Sequence, residues 1–160
     1  MGDNHMSMHI REALQSDMPG ILDCARAFFE YAGYAANGMP LDDESFNVMV
    51  AEYIKNPRGI VVLLMDELFV AGGIAGMVFP WGFNRKILLC QELFFWVNHE
   101  YRGRNSLKLF NEYERLCMER GARHNLMISV PTELENGVVR LYQKRGYRVL
   151  ETMFIRRMVE

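Results

Sequence analysis

Two groups of residues in this chain have the types and spacing to do chemistry. The first is the turn Tyr101-Arg102-Gly103-Arg104-Asn105-Ser106. A basic, glycine-containing turn that leaves a strand and opens a helix can hold an anion. Free N–H groups at the helix start point outward, and the helix dipole favours negative charge there. The plainer reading is a solvated basic turn that caps a helix. The second group is Glu92, a carboxyl inside the apolar and aromatic run Ile87–Val97. Burial there would raise its pKa toward neutrality and make it a proton acceptor, directly or through a water. The plainer reading is a strand glutamate paired with an arginine or facing a water-filled cleft. Cys90 and Cys117 are nucleophiles in principle, but no histidine stands at a suggestive place near either. Both sit in buried patterns, so they read as core. The histidines at 5, 9, 99 and 124 show no metal-ligand spacing, and no zinc or calcium motif is present.

These groups need elements to position them. The stretch Lys86 to Arg120 supplies the main ones. Its apolar first part predicts a strand buried on both faces near the middle of a sheet. Its last part carries Leu109, Tyr113, Leu116 and Cys117 at helical spacing with charged residues between. Before it, His9–Ala13 predicts a short strand. Ser16 or Asp17 then caps a helix with Pro19 in its first turn and Ile21, Leu22, Ala25, Phe28 and Phe29 on its apolar face. Gly33–Pro40 predicts a loop. A second helix starts at Asp42 or Asp43, carries Phe46, Met49, Val50 and Tyr53, and ends before Asn56-Pro57. Ile60–Met65 and Leu68–Val78 predict an antiparallel hairpin. After Gly121, Asn125–Val130 predicts a strand and Asn136–Arg145 a helix. Tyr147–Leu150 and Met153–Met158 predict two closing strands. The order is β-α-α-β-β-β-α-β-α-β-β, a mixed α/β (α+β) domain with a largely antiparallel first half. The β-α-β unit through 87–130 predicts a right-handed crossover.

Composition narrows the partners. The chain has 160 residues, the size of one ordinary domain, and is 50% hydrophobic with a formal net charge of −2. No global field drives it onto nucleic acid or a membrane. Nucleic-acid binding through Arg102, Arg104 and Lys108 is disfavoured by the acidic balance and the lack of a wider basic stripe. No apolar run reaches the length of a membrane span. The three cysteines, Cys24, Cys90 and Cys117, lie in core-like segments without paired spacing and predict reduced thiols in a cytoplasmic protein. Residues 1–8 are polar and read as a tag or disordered terminus, and 9–160 as one domain.

Two motifs then resemble the GCN5-related N-acetyltransferase superfamily, and the resemblance runs from His9 to the end. Val97-Asn98-His99-Glu100-Tyr101-Arg102-Gly103-Arg104 is similar to that family's strand end and arginine-glycine turn. Asn136-Gly-Val-Val-Arg-Leu-Tyr142-Gln-Lys-Arg-Gly146-Tyr147 is similar to its late helix. The family's turn runs Gln or Arg, two residues, Gly, one residue, Gly or Ala. Counted from Arg102, this chain has Asn105 and Leu107 at the small-residue positions.

The resemblance implies an acyl-CoA N-acyltransferase fold, with a central, mostly antiparallel mixed sheet flanked by about four helices. It implies transfer of an acetyl group from acetyl-CoA to a primary amine, on a small molecule or a peptide, by direct attack in a ternary complex. Glu92 would be the base and Tyr142 the acid, a neutral phenol of pKa about 10 being able to protonate a leaving thiolate. Without the resemblance, Tyr142 reads as a half-buried packing residue. A backbone N–H near Val97 would stabilise the developing oxyanion, and Phe95 to Val97 would hold the acetyl and pantetheine end. Arg102, Gly103, Arg104, Asn105, Ser106 and Leu107 would surround the pyrophosphate, and Asn136 would complete the cofactor site. Tyr31 and Trp81 would line the acceptor cleft. Asp42, Asp43 and Glu44 would suit a cationic amine there, although acids at a helix start also complement its dipole. No metal is implied. A non-catalytic acyl-CoA-binding module of the same fold is the alternative. A last strand with Met153, Phe154, Ile155 and Met158 on an apolar edge would allow a homodimer.

Overall fold

The apolar runs build one sheet. The structure, a computed structural model, describes residues 8–130 and 137–158. Its elements are β1 (Met8–Glu12), α1 (Met18–Ala32), α2 (Asp43–Lys55), β2 (Gly59–Asp66), β3 (Phe69–Trp81), β4 (Asn84–Val97), α3 (Arg104–Glu119), β5 (His124–Leu126) and α4 (Gly137–Lys144). The sheet order is β1-β2-β3-β4-β5, antiparallel throughout except for the parallel pair β4–β5. This is the mixed, mostly antiparallel α/β architecture with four α-helices that the sequence predicts. Met8 already belongs to β1, opposite Asp66, so the strand starts one residue before the expected His9.

Alternation along β2 explains the two cores. Val61, Leu63 and Met65 face α1 and α2, with Ile21, Phe28, Phe46 and Phe94. Ile60, Val62 and Leu64 face α3, with Leu109, Phe110, Tyr113 and Leu116. A period of two sends neighbours to opposite faces, so a strand covered on both sides is apolar throughout. Each large side chain taken out of water on either face contributes about 1.5–3 kcal/mol.

Local signals set the helix ends. α1 stops at Gly33, whose φ of 71° is the left-handed conformation, and its N–H donates to the Phe29 carbonyl (3.1 Å). α2 starts where the Asp42 carboxylate accepts from the Ser45 N–H (2.8 Å), and it ends before Asn56-Pro57. α3 is different. Its N-cap is Gly103, with no side-chain cap and no acidic residue in its first turn.

The end of the chain departs from expectation. The fifth strand is only three residues long, His124–Leu126, rather than reaching Val130. Residues 147–158 form no strand, although two were expected there. Strand propensity is realised only against a partner, and among the described residues no edge is paired with this segment. It leaves Val149, Met153, Phe154 and Met158 exposed, at 87%, 85%, 94% and 82%. The Arg157 side chain runs past Gly38 in the α1–α2 loop.

Candidate active site

The site is built by what happens to β4. Along β3 it is paired from Asn84 to Val97, with a register shift where Ala75 faces Phe94 and Gly76 faces Glu92. Leu93 is the extra residue of this bulge. An extra residue turns the alternation over, so Leu93 and Phe94 both lie on the α1/α2 side. Glu92 stands across from Gly76 on the α3 side.

The other edge of β4 is paired with β5 only at Leu89, Cys90 and Gln91. Beyond them the two strands part. Glu92 sits at the point of parting, buried at 4% exposure. The Ile128 N–H donates to its carboxylate (2.9 Å). From the other side the Tyr142 hydroxyl makes a longer contact with the Ile128 carbonyl (3.4 Å). The two proposed proton carriers, 50 positions apart by their numbers, therefore meet the backbone of one residue.

Further along the open edge, the Asn98 N–H donates to the Ala71 carbonyl on β3 (2.9 Å). Antiparallel pairing alternates, so the backbone groups of Trp96 point the same way and those of Phe95 and Val97 point away from β3. The Val97 carbonyl accepts from Arg102 Nε (2.9 Å). The Arg102 guanidinium lies 5.0 Å from the centre of the Trp96 ring. Tyr31 meets the same ring at 5.6 Å, and Trp96 Nε1 donates to Asn98 Oδ1 (2.9 Å). Arg102 is thus folded back over the strand end, with Tyr31 and Trp96 beside it.

Gly103 has φ 85° and ψ −123°, a backbone state L side chains avoid, and a Cβ built there meets nothing within 4 Å. Among the described residues, open space therefore lies beside Gly103 at the start of α3. Arg104, Asn105 and Ser106 present first-turn N–H groups that have no intrahelical acceptor. Arg104 and Lys108 add positive charge to the positive end of the dipole, which by itself is unfavourable. Leu107 is 41% exposed on the same turn.

Aromatic packing holds the acid candidate. Phe95 stacks on Phe110 (5.9 Å, 21°), Phe110 meets Tyr142 (5.8 Å), and Tyr142 meets Tyr147 (5.6 Å). The Tyr147 hydroxyl donates to Glu114 Oε1 (2.8 Å) and accepts from Asn125 Nδ2 (2.7 Å). Under Gly76 the Tyr113 hydroxyl lies 3.2 Å from Cys90 Sγ. Burial, with Cys117, Cys90 and Glu92 nearby, pushes the Tyr113 phenol well above its ordinary range, so it stays protonated.

The remaining expected site residues fall elsewhere. Trp81 pairs with Asn84 at the tip of the β3–β4 hairpin and packs on Phe83 (5.3 Å), away from Glu92 along the strand. Asn136 lies outside the described residues. Asp42 caps α2 through the Ser45 N–H, and Asp43 pairs with Arg26. Among the described residues no group of three or more His, Cys, Asp or Glu could hold a metal.

Several residues at this site escape a reading of the sequence. Ile128 acts through its backbone, which no side-chain pattern reveals. The Leu93 bulge is hidden because a continuous apolar run has no alternation to break. A cavity of about 420 Å³ lined by Tyr53, Met77, Phe79 and Leu93, with Gln91 and Glu92, was also missed, because these residues come together only in the folded sheet. The glycines of β3 are the one available signal. A Cβ at Gly76 would stand 2.2 Å from the Tyr113 hydroxyl, a close approach that only glycine permits.

No protein-family model matches the chain, and no curated protein sequence matches it. Solved structures do. A GCN5-related N-acetyltransferase from Ralstonia eutropha JMP134 superposes with a TM-score of 0.76 at 18% identity, covering 94% of this chain and 98% of that one. A protein described as a transcriptional regulator from Bacillus halodurans C-125 gives 0.75 at 12% identity, over 94% and 99%. Glucosamine-6-phosphate N-acetyltransferase from Arabidopsis thaliana gives 0.65 at 15% identity, over 96% and 99%. Likeness at such identities speaks to architecture and not to activity. The chain has the fold of the GCN5-related N-acetyltransferases.

Proposed function

We propose that this chain is an acetyl-CoA-dependent N-acetyltransferase acting on a primary amine by direct attack. The observation that carries the reading is the convergence of Glu92 and Tyr142 on Ile128, where β4 leaves β5. Acetyl-CoA would supply the acetyl group as a thioester. The residues present fit it: the space beside Gly103, the first-turn N–H groups that lack an intrahelical acceptor and the cations of Arg104 and Lys108 suit a pyrophosphate.

Each side chain then has a task. Glu92 accepts the proton of the attacking amine, directly or through one water. The N–H groups of Phe95 and Val97, directed into the gap, donate to the oxygen that becomes negative. Tyr142 gives a proton to the departing sulfur. Arg102 holds the strand end through the Val97 carbonyl while keeping charge beside the turn. Phe110, Tyr142 and Tyr147 keep α4 seated so that the acid stays in reach.

Three free, buried cysteines support a reducing, cytoplasmic setting, and the exposed apolar side chains of 149–158 support a homodimer. Light scattering at micromolar concentration should give twice the chain mass, and a monomer there removes the dimer.

Calorimetric titration with acetyl-CoA, with CoA and ATP as controls, tests the reading first. Binding near micromolar strength, about −8 kcal/mol, is expected. A chain that binds neither CoA species is not an acetyltransferase. One that binds but releases no thiol across a broad amine panel is a non-catalytic module of this fold.

A further inference from the structure

The cavity beside Glu92 says which amines this site would take. It lies on the α1/α2 side of the sheet, bounded by Tyr53 of α2, Met77 and Phe79 of β3, and Leu93 of β4. The helix start that suits a pyrophosphate belongs to α3, on the opposite side. Glu92 and Ile128, hydrogen-bonded to each other where β4 and β5 part, are also lining residues of the cavity. A molecule entering over α2 and one lying against α3 would meet at Glu92.

The chemistry of the walls is one-sided. Tyr53, Met77, Phe79 and Leu93 offer rings, a thioether and a branched alkyl group. Gln91 adds one amide, and Glu92 is the one acidic residue among the described lining residues. None of these lining residues is cationic. A phosphate or carboxylate on the acceptor would lose its water without a partner and would face Glu92. An ammonium group would be drawn to Glu92, and an apolar body would cover the rings. About 420 Å³ is the scale of a small-molecule site. At the start of α2, Asp42 caps the helix and Asp43 is already paired with Arg26.

We propose that the acceptor is a small primary amine on an uncharged, apolar body, aromatic or aliphatic, bound in this cavity with its nitrogen at Glu92. The amine chemistry rests on the acetyltransferase reading, whereas the class of body rests on the cavity alone.

The probe is 2-phenylethylamine, titrated calorimetrically into the free protein and into protein saturated with CoA. Glucosamine 6-phosphate and glycine are the charged comparisons. Saturable binding of 2-phenylethylamine, at least about tenfold tighter than either comparison, is expected. Phe79→Arg should weaken it by about tenfold or more, while Phe79→Leu keeps it within about threefold and neither changes acetyl-CoA affinity. No binding of 2-phenylethylamine up to about 10 mM, or tighter binding of glucosamine 6-phosphate, overturns the inference whatever acetyl-CoA does. If 2-phenylethylamine binds as expected and acetyl-CoA does not, the acetyltransferase reading fails and the cavity's ligand class stands.

Discussion

The two edges of β4 have opposite fates. Toward β3 the strand is paired from Asn84 to Val97, and one glycine, Gly76, lets Tyr113 approach. Toward β5 it is paired for three residues and then opens. The paired edge holds the sheet together. The open edge directs the backbone of Phe95 and Val97 away from β3, and the Glu92 carboxylate there accepts from the Ile128 N–H rather than from a neighbouring strand. The same strand is thus scaffold on one side and candidate site on the other. Its bulge at Leu93 lies at the level where the second edge opens, and bulges are found where a strand re-aims its side chains.

The largest expected effect breaks the paired edge. Gly76→Ala sets a Cβ 2.2 Å from the Tyr113 hydroxyl and 2.9 Å from the Gln91 carbonyl. Overpacking of this kind should cost about 3 kcal/mol and lower the melting temperature. Adding Tyr113→Phe should recover part of the loss, and strict additivity in the double mutant would mean the hydroxyl is not the obstacle.

On the open edge the effect should appear in turnover instead. Glu92→Gln keeps an oxygen for the Ile128 N–H but cannot take a proton. Thiol release should fall by about 10²–10⁴-fold with the melting temperature nearly unchanged. Activity retained within a few-fold would show that another group removes the proton. Tyr142→Phe should lower turnover by about 10–100-fold while acetyl-CoA still binds, because the ring packing against Phe110 survives. Unchanged turnover would remove Tyr142 from the reaction.

The smallest effect has two signs. Arg104→Glu places an acid in the first turn of α3, where the dipole favours it, and should raise stability by about 0.3–1 kcal/mol. The same change should weaken acetyl-CoA binding by about tenfold, since a cation near the pyrophosphate is replaced by an anion. Chemical denaturation and calorimetry on one sample would separate the two. Weaker binding with lower stability would mean Arg104 supports the fold rather than an anion.

The helices, the β2–β3–β4 meander and the Glu92 and Tyr142 positions are readable from the chain because their signals are local. Periodicity marks α1 and α3, the Asp42 cap and Asn56-Pro57 bracket α2, and a lone carboxyl in an apolar run is visible wherever it lies. The candidate anion-binding turn is visible for the same reason, since Gly103 and its arginines are neighbours in sequence. Tertiary structure decided the rest. The separation of β4 from β5, the bulge at Leu93 and the absence of strands in 147–158 depend on which edges find partners, and pairing is a property of two segments rather than one. Arg102 lies on Trp96 and the Val97 carbonyl because the chain doubles back after Asn98. The meeting of Glu92, Ile128 and Tyr142, and the apolar cavity beside them, arise because a parallel pair must be joined by a helix crossing the sheet. That crossing brings residues far apart in sequence to one end of one strand.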